Sequence, residues 1–300
     1  MAFKSFDEII KLVTSKPPKR VVVAGAEEEH ALEAVFEAQK ANIVIPVLVG
    51  NKKIIEEKIN KLGYSNEKYE IVDNPEGINP GQTAVDVINA GEGDFLLKGK
   101  LSTSKYLGPV INKENNLNLG GVLSAYTFTQ IPNYNRMVML ADGSLIIKPT
   151  LEQKKGIINN CVNVLKTLGY EHPKVAILCA IEEVNPKMQD TVDAAALVQM
   201  WENGEIPDCT IVGPISFDLA MNKESAEIKG YDCPYCGEFD ILIAPDLVAA
   251  NFIGKSWIYT AGSNKAGGAV VGAKVPVAMM SRSAAMEIKF NSLVMCAATC

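Results

Sequence analysis

Short apolar runs alternate with helix-length segments along almost the whole chain. Residues 21–24, 95–97 and 241–244 are apolar at every position and are bounded by polar or turn residues. Such runs are typical of strands that are buried on both faces of a parallel sheet. Helical spacing of apolar residues, as in 52–62, fills most of the segments between them. The alternation predicts βαβ units and an α/β fold with mainly parallel sheets flanked by helices.

The same pattern assigns the individual elements. The predicted strands are 21–24, 43–49, 70–72, 95–97, 137–140, 175–178, 210–212, 241–244, 269–271 and 277–279. The predicted helices are 3–13, 28–41, 52–62, 82–90, one that begins near 102, 151–168, 191–202 and 283–298. We also expect helices between the last four strands.

Length and composition restrict the class of protein. At about 150 residues per domain, 300 residues predict two domains, with one large domain as the alternative. Segment 112–121, rich in Asn and Gly, is the clearest loop near a domain boundary. With 48% apolar and 21% charged residues, the chain is not disordered, collagen-like or coiled-coil. The net charge of −6 argues against a general nucleic-acid binder. It allows a small anionic ligand, which needs only a few local positive groups.

Cysteine usage and hydropathy point to a cytoplasmic protein. No run of 18 uncharged apolar residues is present, so we expect no membrane-spanning helix, and the N-terminus lacks the apolar core of a signal peptide. The seven cysteines include Cys161, Cys179 and Cys296 in apolar surroundings, as expected of reduced, buried thiols. The only two histidines, His30 and His172, argue against a histidine-rich metal site. We therefore expect no metal.

Polar residues that directly follow predicted strands are the candidate functional residues, because ligands of parallel α/β sheets bind at the carboxyl ends of the strands. Strand 95–97 leads into Lys98, a Gly-Lys pair, and then Ser102 and Thr103 at a helix start. Backbone N–H groups and ammonium charge there can hold an anion. The alternative is a solvated turn with an ordinary helix cap.

A second candidate follows strand 277–279. Ser281 and Arg282 stand between that strand and the last helix. A guanidinium fork suits phosphate oxygens, and a helix N-terminus favours negative charge. The alternative makes the serine a plain helix cap and the arginine half of a surface ion pair.

Weaker candidates occur in the last third of the chain. Asn251 and Lys255 follow strand 241–244, and Lys265 lies in a glycine-rich loop, so they could reach a phosphorylated ligand; lysines of this kind are more often solvated surface. Cys233 and Cys236 have the CxxC spacing of a thioredoxin redox site, but without its strand-to-helix context. A loop with two chance thiols is the favoured interpretation over a redox or metal role.

Several common catalytic motifs are missing. The sequence has no GxSxG elbow, no GxxxxGK[ST] phosphate loop, and no GxGxxG after its first strand. It therefore predicts neither a serine hydrolase, nor an ordinary ATP-binding loop, nor a standard Rossmann dinucleotide site.

At these segments the chain resembles the phosphate acetyltransferase and phosphate butyryltransferase family, over nearly its whole length. Six stretches in the family's order make a chance match implausible. They are LLKGKLST (96–103), VNPKM with TVDAAAL after it (184–197), GPISFDLAM (213–221), IAPDLVAANFIGKS (243–256), NKAGGAVVGAKVPV (264–277) and SR (281–282). The VNPKM stretch and the length of 300 residues are closer to the butyryl branch.

The resemblance implies the reaction acyl-CoA + phosphate = acyl phosphate + CoA, with direct attack by phosphate in a ternary complex. It implies no permanently bound cofactor, since the CoA thioester is a substrate, and a homo-oligomer with no nucleic-acid or membrane partner. By analogy Arg282 binds phosphate and Ser281 stabilises the developing oxyanion or orients the attacking oxygen. Lys98, Ser102, Thr103 and Arg136 are further candidates for the same pocket. Nearer CoA, the analogy places Asn251, Lys255 and Lys265.

The chain departs from the family's pattern where a general base is expected. Acetyltransferase members often carry an acid seven residues after the SR serine, whereas this chain has Ile288, with Glu287 as the nearest acid. Val212 replaces the family's usual Asp before GP. Where butyryl-branch members often have SRAD, this chain has SRSA (281–284). The general base is therefore left unassigned.

The resemblance also implies an architecture: two α/β lobes with mainly parallel sheets and the active cleft between them. The first lobe would hold residues 1–136 plus 280–300, and the second 137–279. An acetyl-specific phosphate acetyltransferase is the nearest alternative. A metal- and NAD-dependent dehydrogenase of related fold would need clustered acids, which the sequence does not offer, and a non-catalytic acyl-phosphate sensor would keep Arg282 and lose turnover.

Overall fold

The computed structural model describes residues 2–132, 134–263, 265–279 and 284–300. The chain divides into two compact units. The N-terminal unit holds Phe6–Leu123 and Asn264–Cys300, and the central unit holds Met1–Ser5 and Ser124–Ser263. The sequence-based division into 1–136 with 280–300 and 137–279 stays a prediction.

Strands and helices alternate through both units. In chain order the described strands are β1 (Lys19–Ala24), β2 (Val44–Gly50), β3 (Glu70–Asp73), β4 (Phe95–Lys98), β5 (Ser124–Gln130), β6 (Met137–Ala141), β7 (Lys174–Leu178), β8 (Thr210–Ile215), β9 (Ile241–Ile243), β10 (Ala266–Val271) and β11 (Val277–Ala278). The described helices are α1 (Phe6–Thr14), α2 (Glu29–Lys40), α3 (Lys52–Leu62), α4 (Pro80–Asn89), α5 (Thr103–Ile111), α6 (Leu151–Thr167), α7 (Gln189–Glu202), α8 (Phe217–Met221), α9 (Lys223–Lys229), α10 (Leu247–Tyr259) and α11 (Met286–Thr299), with a short 3-10 helix at Lys113–Asn115. The predicted α/β class with mainly parallel strands is confirmed.

The N-terminal unit is built on strands in the order β3-β2-β1-β4-β11-β10. All neighbours are parallel except β10 and β11. Residues 21–24 of β1 are fully buried, as expected of a central strand covered by helices on both faces. Helix α11 packs on β10 and against α2.

The connection between β10 and β11 differs from the sequence-based prediction. We expected a helix between these strands, but only residues 272–276 join them. A parallel crossover needs about a dozen residues or more, so this short connection returns the chain antiparallel.

The central unit has the strand order β5-β6-β9-β7-β8, in which only β5 is antiparallel to its neighbour. The sequence did not predict β5, because the strand begins with Ser124 and Thr127 and Thr129 interrupt its apolar residues, although Ser124 and Thr129 are buried. Helices α6 and α7 are tied together by a buried ion pair between Lys154 and Asp193 at 2.8 Å. In the described ranges, no helix has the length and apolar character needed to cross a bilayer.

Candidate functional site

The loop that follows β4 is fixed to the loop that follows β1. The N–H of Gly99 donates to Ala24 O at 2.9 Å, and the N–H of Lys100 donates to Gly25 O at 2.7 Å. A Cβ atom on Gly99 would lie 2.1 Å from Gly25 O, so only glycine fits. Chain order reverses between β1 and β4, and such a reversal opens a crevice where α/β proteins bind ligands.

Helix α5 begins directly after this loop. Ser102 is its N-cap, and the serine hydroxyl accepts a hydrogen bond from the N–H of Lys105 at 3.2 Å. The capping alternative therefore holds for that hydroxyl. Thr103 is the exposed first residue of α5, and Lys98 is the last residue of β4. The structure thus brings Lys98, Ser102 and Thr103 to the positive end of the α5 dipole.

Strand β11 ends beside β4. Ala278 pairs with Leu97, and the Tyr106 hydroxyl of α5 donates to Ala278 O at 3.0 Å. Strand β11, β4 and the first turns of α5 therefore share one edge of the unit. Ser281 and Arg282, which follow in sequence, lie outside the described residues.

Lys265 lies immediately before β10, away from the α5 loop in sequence but in the same unit. It lines a pocket of about 600 Å³ together with Met286 and Glu287 from the first turn of α11. Ile288, at the position of the family's acid, is buried. Glu287 is therefore the carboxylate of this helix turn that faces a pocket.

In the central unit, a buried carboxylate organises the loop after β6. Asp142 Oδ1 accepts from the N–H groups of Ser144 and Leu145 at 2.9 and 3.0 Å, and Oδ2 accepts from those of Ala125 and Ile146 at 3.2 and 3.3 Å. Burial raises the pKa of Asp142, and these four donors oppose that rise. Sequence analysis missed Asp142, which directly follows β6 in the structure and lies two residues after the predicted strand 137–140.

Helix α10 contacts the same loop after β6. Asn251 Nδ2 donates to Gly143 O at 3.1 Å, so this amide holds the loop in place. Lys255 is exposed one turn further along the helix, on the same side as Asn251. Asp246 caps α10 by accepting from the N–H of Ala249 at 2.9 Å. The structure thus places Asn251 at the carboxyl end of β6 and Lys255 on the same face of α10, one turn further along.

Arg136 lies at the amino end of β6, the opposite end of this strand from the Asp142 loop. It precedes β6, and its guanidinium donates to Glu238 O at 2.7 Å and pairs with Asp240 at 3.3 Å. Asp240 precedes β9 in the same way. This cation lies at the amino ends of β6 and β9, where the carboxylates of Glu238 and Asp240 pair with it. The assignment of Arg136 to the phosphate pocket stays a prediction.

The quoted GPISFDLAM stretch contacts a carboxylate of the loop after β7. The Ser216 hydroxyl of the GPISFD stretch bonds Glu182, and Lys229 pairs with Glu182 at 3.3 Å and with Asp218 at 3.0 Å. Ser216 and Lys229 lower the pKa of both carboxylates. The side chains of Glu182 and Lys229 also line a pocket of about 480 Å³. Ser216 and Asp218 lie in the GPISFDLAM stretch (213–221), whereas no motif marks Glu182 or Lys229.

The VNPKM stretch is a closed loop. The N–H of Asn185 donates to Thr191 Oγ1 at 2.9 Å, and this hydroxyl bonds back to Met188 O at 2.8 Å. Thr191 is fully buried, so the loop is fixed to the first turn of α7.

Described unit by unit, the molecule is an α/β protein with a lysine, a helix N-terminus and hydrogen-bonding side chains at the carboxyl ends of parallel strands. The chain belongs to the phosphate acetyl/butaryl transferase family, whose model matches residues 5–80 and 75–297.

Individual relatives cover nearly the whole chain. Phosphate butyryltransferase of Clostridium acetobutylicum is 38% identical over 294 residues, 98% of this chain and 97% of the relative. Phosphate acetyltransferase of Thermotoga maritima is 36% identical over 291 residues, 97% of this chain and 98% of the relative. Among solved structures, a branched-chain phosphotransacylase from Enterococcus faecalis V583 superposes with a TM-score of 0.83 at 29% identity, covering 94% of this chain and 98% of that one.

Proposed function

We propose that this protein transfers an acyl group between coenzyme A and inorganic phosphate: acyl-CoA + phosphate = acyl phosphate + CoA. The observation that carries the proposal is the loop after β4, where Lys98 and the α5 N-terminus form an anion-binding edge in a chain of this family. The butyryltransferase and acetyltransferase relatives support the same reaction.

In the proposed mechanism one phosphate oxygen attacks the thioester carbonyl carbon. The new C–O bond forms, the C–S bond breaks, and the CoA thiolate leaves and takes up a proton. Arg282 holds the phosphate by a bidentate contact, and Ser281 stabilises the negative charge that develops on the carbonyl oxygen. Phosphate is the nucleophile, so no covalent cysteine intermediate is involved.

The other proposed site residues divide by substrate. Lys98, Thr103 and the N-terminus of α5, which Ser102 caps, supply positive potential for phosphate. Lys255 and Lys265 are proposed to contact CoA. Asn251 is proposed to position the CoA site indirectly, because its amide holds the loop after β6. Arg136, whose guanidinium pairs with Glu238 and Asp240, stays a predicted phosphate contact.

We propose butyryl as the preferred acyl group, with an acetyl-specific enzyme as the second candidate because the Thermotoga maritima relative is an acetyltransferase. Homo-oligomeric assembly and a cytoplasmic location are also proposals. Sedimentation of the purified protein tests the first, and fractionation of the source cells tests the second.

The test is thiol release from butyryl-CoA by the purified protein, with and without inorganic phosphate. We expect release that requires phosphate and no change in the absorbance of added NAD. A reaction only with acetyl-CoA would support the second candidate. Binding of acyl phosphate without turnover would indicate a sensor, and NAD reduction would indicate a dehydrogenase; either result would overturn the proposal.

A further inference from the structure

Cys233 and Cys236 form a tight turn in the central unit. The N–H of Cys236 points back to Cys233 O at 3.5 Å, so residues 233–236 form a β-turn with Pro234 at its second position. The ends of a β-turn lie within about 7 Å of one another, Cα to Cα. A disulfide needs a Cα separation of about 4.4–6.8 Å, so this backbone fits one with little movement.

The turn places the two cysteines at its ends. Cys233 is its first residue and Cys236 its fourth. Proline at the second position fixes φ in the range that the turn requires, so this arrangement is favoured by the sequence itself. The sequence alone offered only the CxxC spacing; the turn that brings the two residues together is what the structure adds.

The surroundings give the two thiols different accessibility. Cys236 is buried at 2% exposure in an apolar cluster that includes Leu219, Phe239 and Trp257. Cys233 is partly exposed. Lys174 lies over the ring of Tyr235 at 5.0 Å and holds the turn from the other side. An oxidant therefore reaches the thiol of Cys233 before the buried thiol of Cys236.

We propose that Cys233 and Cys236 are a thiol-modification site that forms a reversible disulfide when the protein meets a hydroperoxide. Cys233 sulfur attacks one peroxide oxygen, the O–O bond breaks, and water or an alcohol leaves. The product is a sulfenic acid on Cys233. Cys236 sulfur then attacks that sulfur and expels water. Two thiols and one hydroperoxide thus give one disulfide, one alcohol or water, and one further water.

The chemistry of the second thiol fits a resolving role. Burial, together with the neighbouring Cys233, raises the pKa of Cys236 to about 12, so this thiol is a poor first nucleophile and the more accessible Cys233 reacts with the peroxide. The other cysteines are less suited: Cys161, Cys179, Cys209 and Cys296 are buried, and burial raises their pKa values.

The test exposes the full-length protein to a stoichiometric amount of hydrogen peroxide and reads it by mass spectrometry. We expect the loss of two of the seven thiols, the loss of the mass of two hydrogens in the peptide that spans 233–236, and recovery with dithiothreitol. The Cys300→Ser variant, which removes an exposed cysteine elsewhere, is the matched control and should behave like wild type.

The Cys236→Ser variant isolates the first step, and Cys236→Ala serves if the serine disturbs the apolar cluster. In either variant Cys233 should be trapped as its sulfenic acid by dimedone, whereas wild type should give little adduct. Equal dimedone labelling of wild type and variant would overturn the proposal, as would an intact 233–236 peptide after other thiols have reacted. The readout is independent of acyl transfer, so failure of one proposal does not decide the other.

Discussion

A single guanidinium is expected to hold the phosphate. Replacement of Arg282 by lysine keeps the charge and removes the fork, so we predict that the KM for phosphate rises roughly 10- to 100-fold, the cost of about 1.5–3 kcal/mol for a charge-assisted contact. The KM for acyl-CoA should hardly change. Initial rates with each substrate varied in turn measure both constants.

Arg20→Lys is the matched control, because that guanidinium contacts Glu70 at 2.8 Å at the amino end of β1. Normal kinetics of Arg282→Lys with a lowered melting temperature would instead make Arg282 part of a surface ion pair.

The hydroxyl of Ser281 is expected to act in the transition state. Ser281→Ala should lower kcat by about 10²–10³, the usual effect of removing one oxyanion donor, with little change in either KM. Steady-state kinetics check this, and Ser65→Ala, at an exposed loop serine, should leave kcat unchanged. A normal kcat would show that the Ser281 hydroxyl does not stabilise the transition state.

Asp142 stabilises the loop after β6 through four acceptor contacts. In Asp142→Asn one oxygen becomes an NH₂ group, which cannot accept from two of the backbone donors. Each buried donor without a partner costs about 1–3 kcal/mol, so we predict a clear loss of free energy of unfolding, measured with urea. Asp86→Asn, at an exposed position on α4, should change it by less than about 0.5 kcal/mol. Equal stability of the two variants would contradict the role of Asp142.

At the scale of helices and strands, the buried pair between α6 and α7 can be tested directly. Lys154→Met leaves Asp193 buried without its cation, which should cost about 3–5 kcal/mol of unfolding free energy. The double variant Lys154→Met with Asp193→Leu should recover most of that loss, since no charge is then buried. The control Lys155→Met breaks a partly exposed pair with Glu205 and should cost less than about 1 kcal/mol. Additive losses in the double variant would exclude coupling between the two residues.

Continuous apolar runs were sufficient to predict most parallel strands. They failed for β5, where Ser124 is buried and accepts a hydrogen bond from Asn160 at 2.9 Å, because polarity at that position hides burial from the sequence. They also could not give the direction of β10. The length of its connection to β11 contains that information, because five residues are too few for a crossover.

The candidate site was predictable only in part. The rule that ligands bind after strand ends singled out the Lys98 loop and Asn251 as candidates, and these stay predictions. It did not find that Asn251 binds a loop carbonyl, since that depends on contacts between segments more than a hundred residues apart. Nor could the sequence show that Arg136 pairs with Glu238 and Asp240, which lie more than a hundred residues further along the chain.

For the whole molecule, the acyl-chain preference separates the two candidate functions. A buried methylene is worth about 0.8 kcal/mol, so an acyl pocket shaped for four carbons should favour butyryl-CoA over acetyl-CoA by roughly tenfold in kcat/KM. A series from acetyl- to hexanoyl-CoA at saturating phosphate measures this. A higher kcat/KM for acetyl-CoA would place the protein with the acetyltransferases.

The most direct test of the proposed reaction is to count both products together. Butyryl-CoA and phosphate are incubated with the purified protein, free CoA is followed by its thiol, and the phosphorus product is followed by ³¹P NMR. We predict equal amounts of CoA and butyryl phosphate, and no CoA release when phosphate is omitted. Release of CoA without phosphate, or without an acyl phosphate signal, would show hydrolysis in place of transfer to phosphate and would contradict the proposed function.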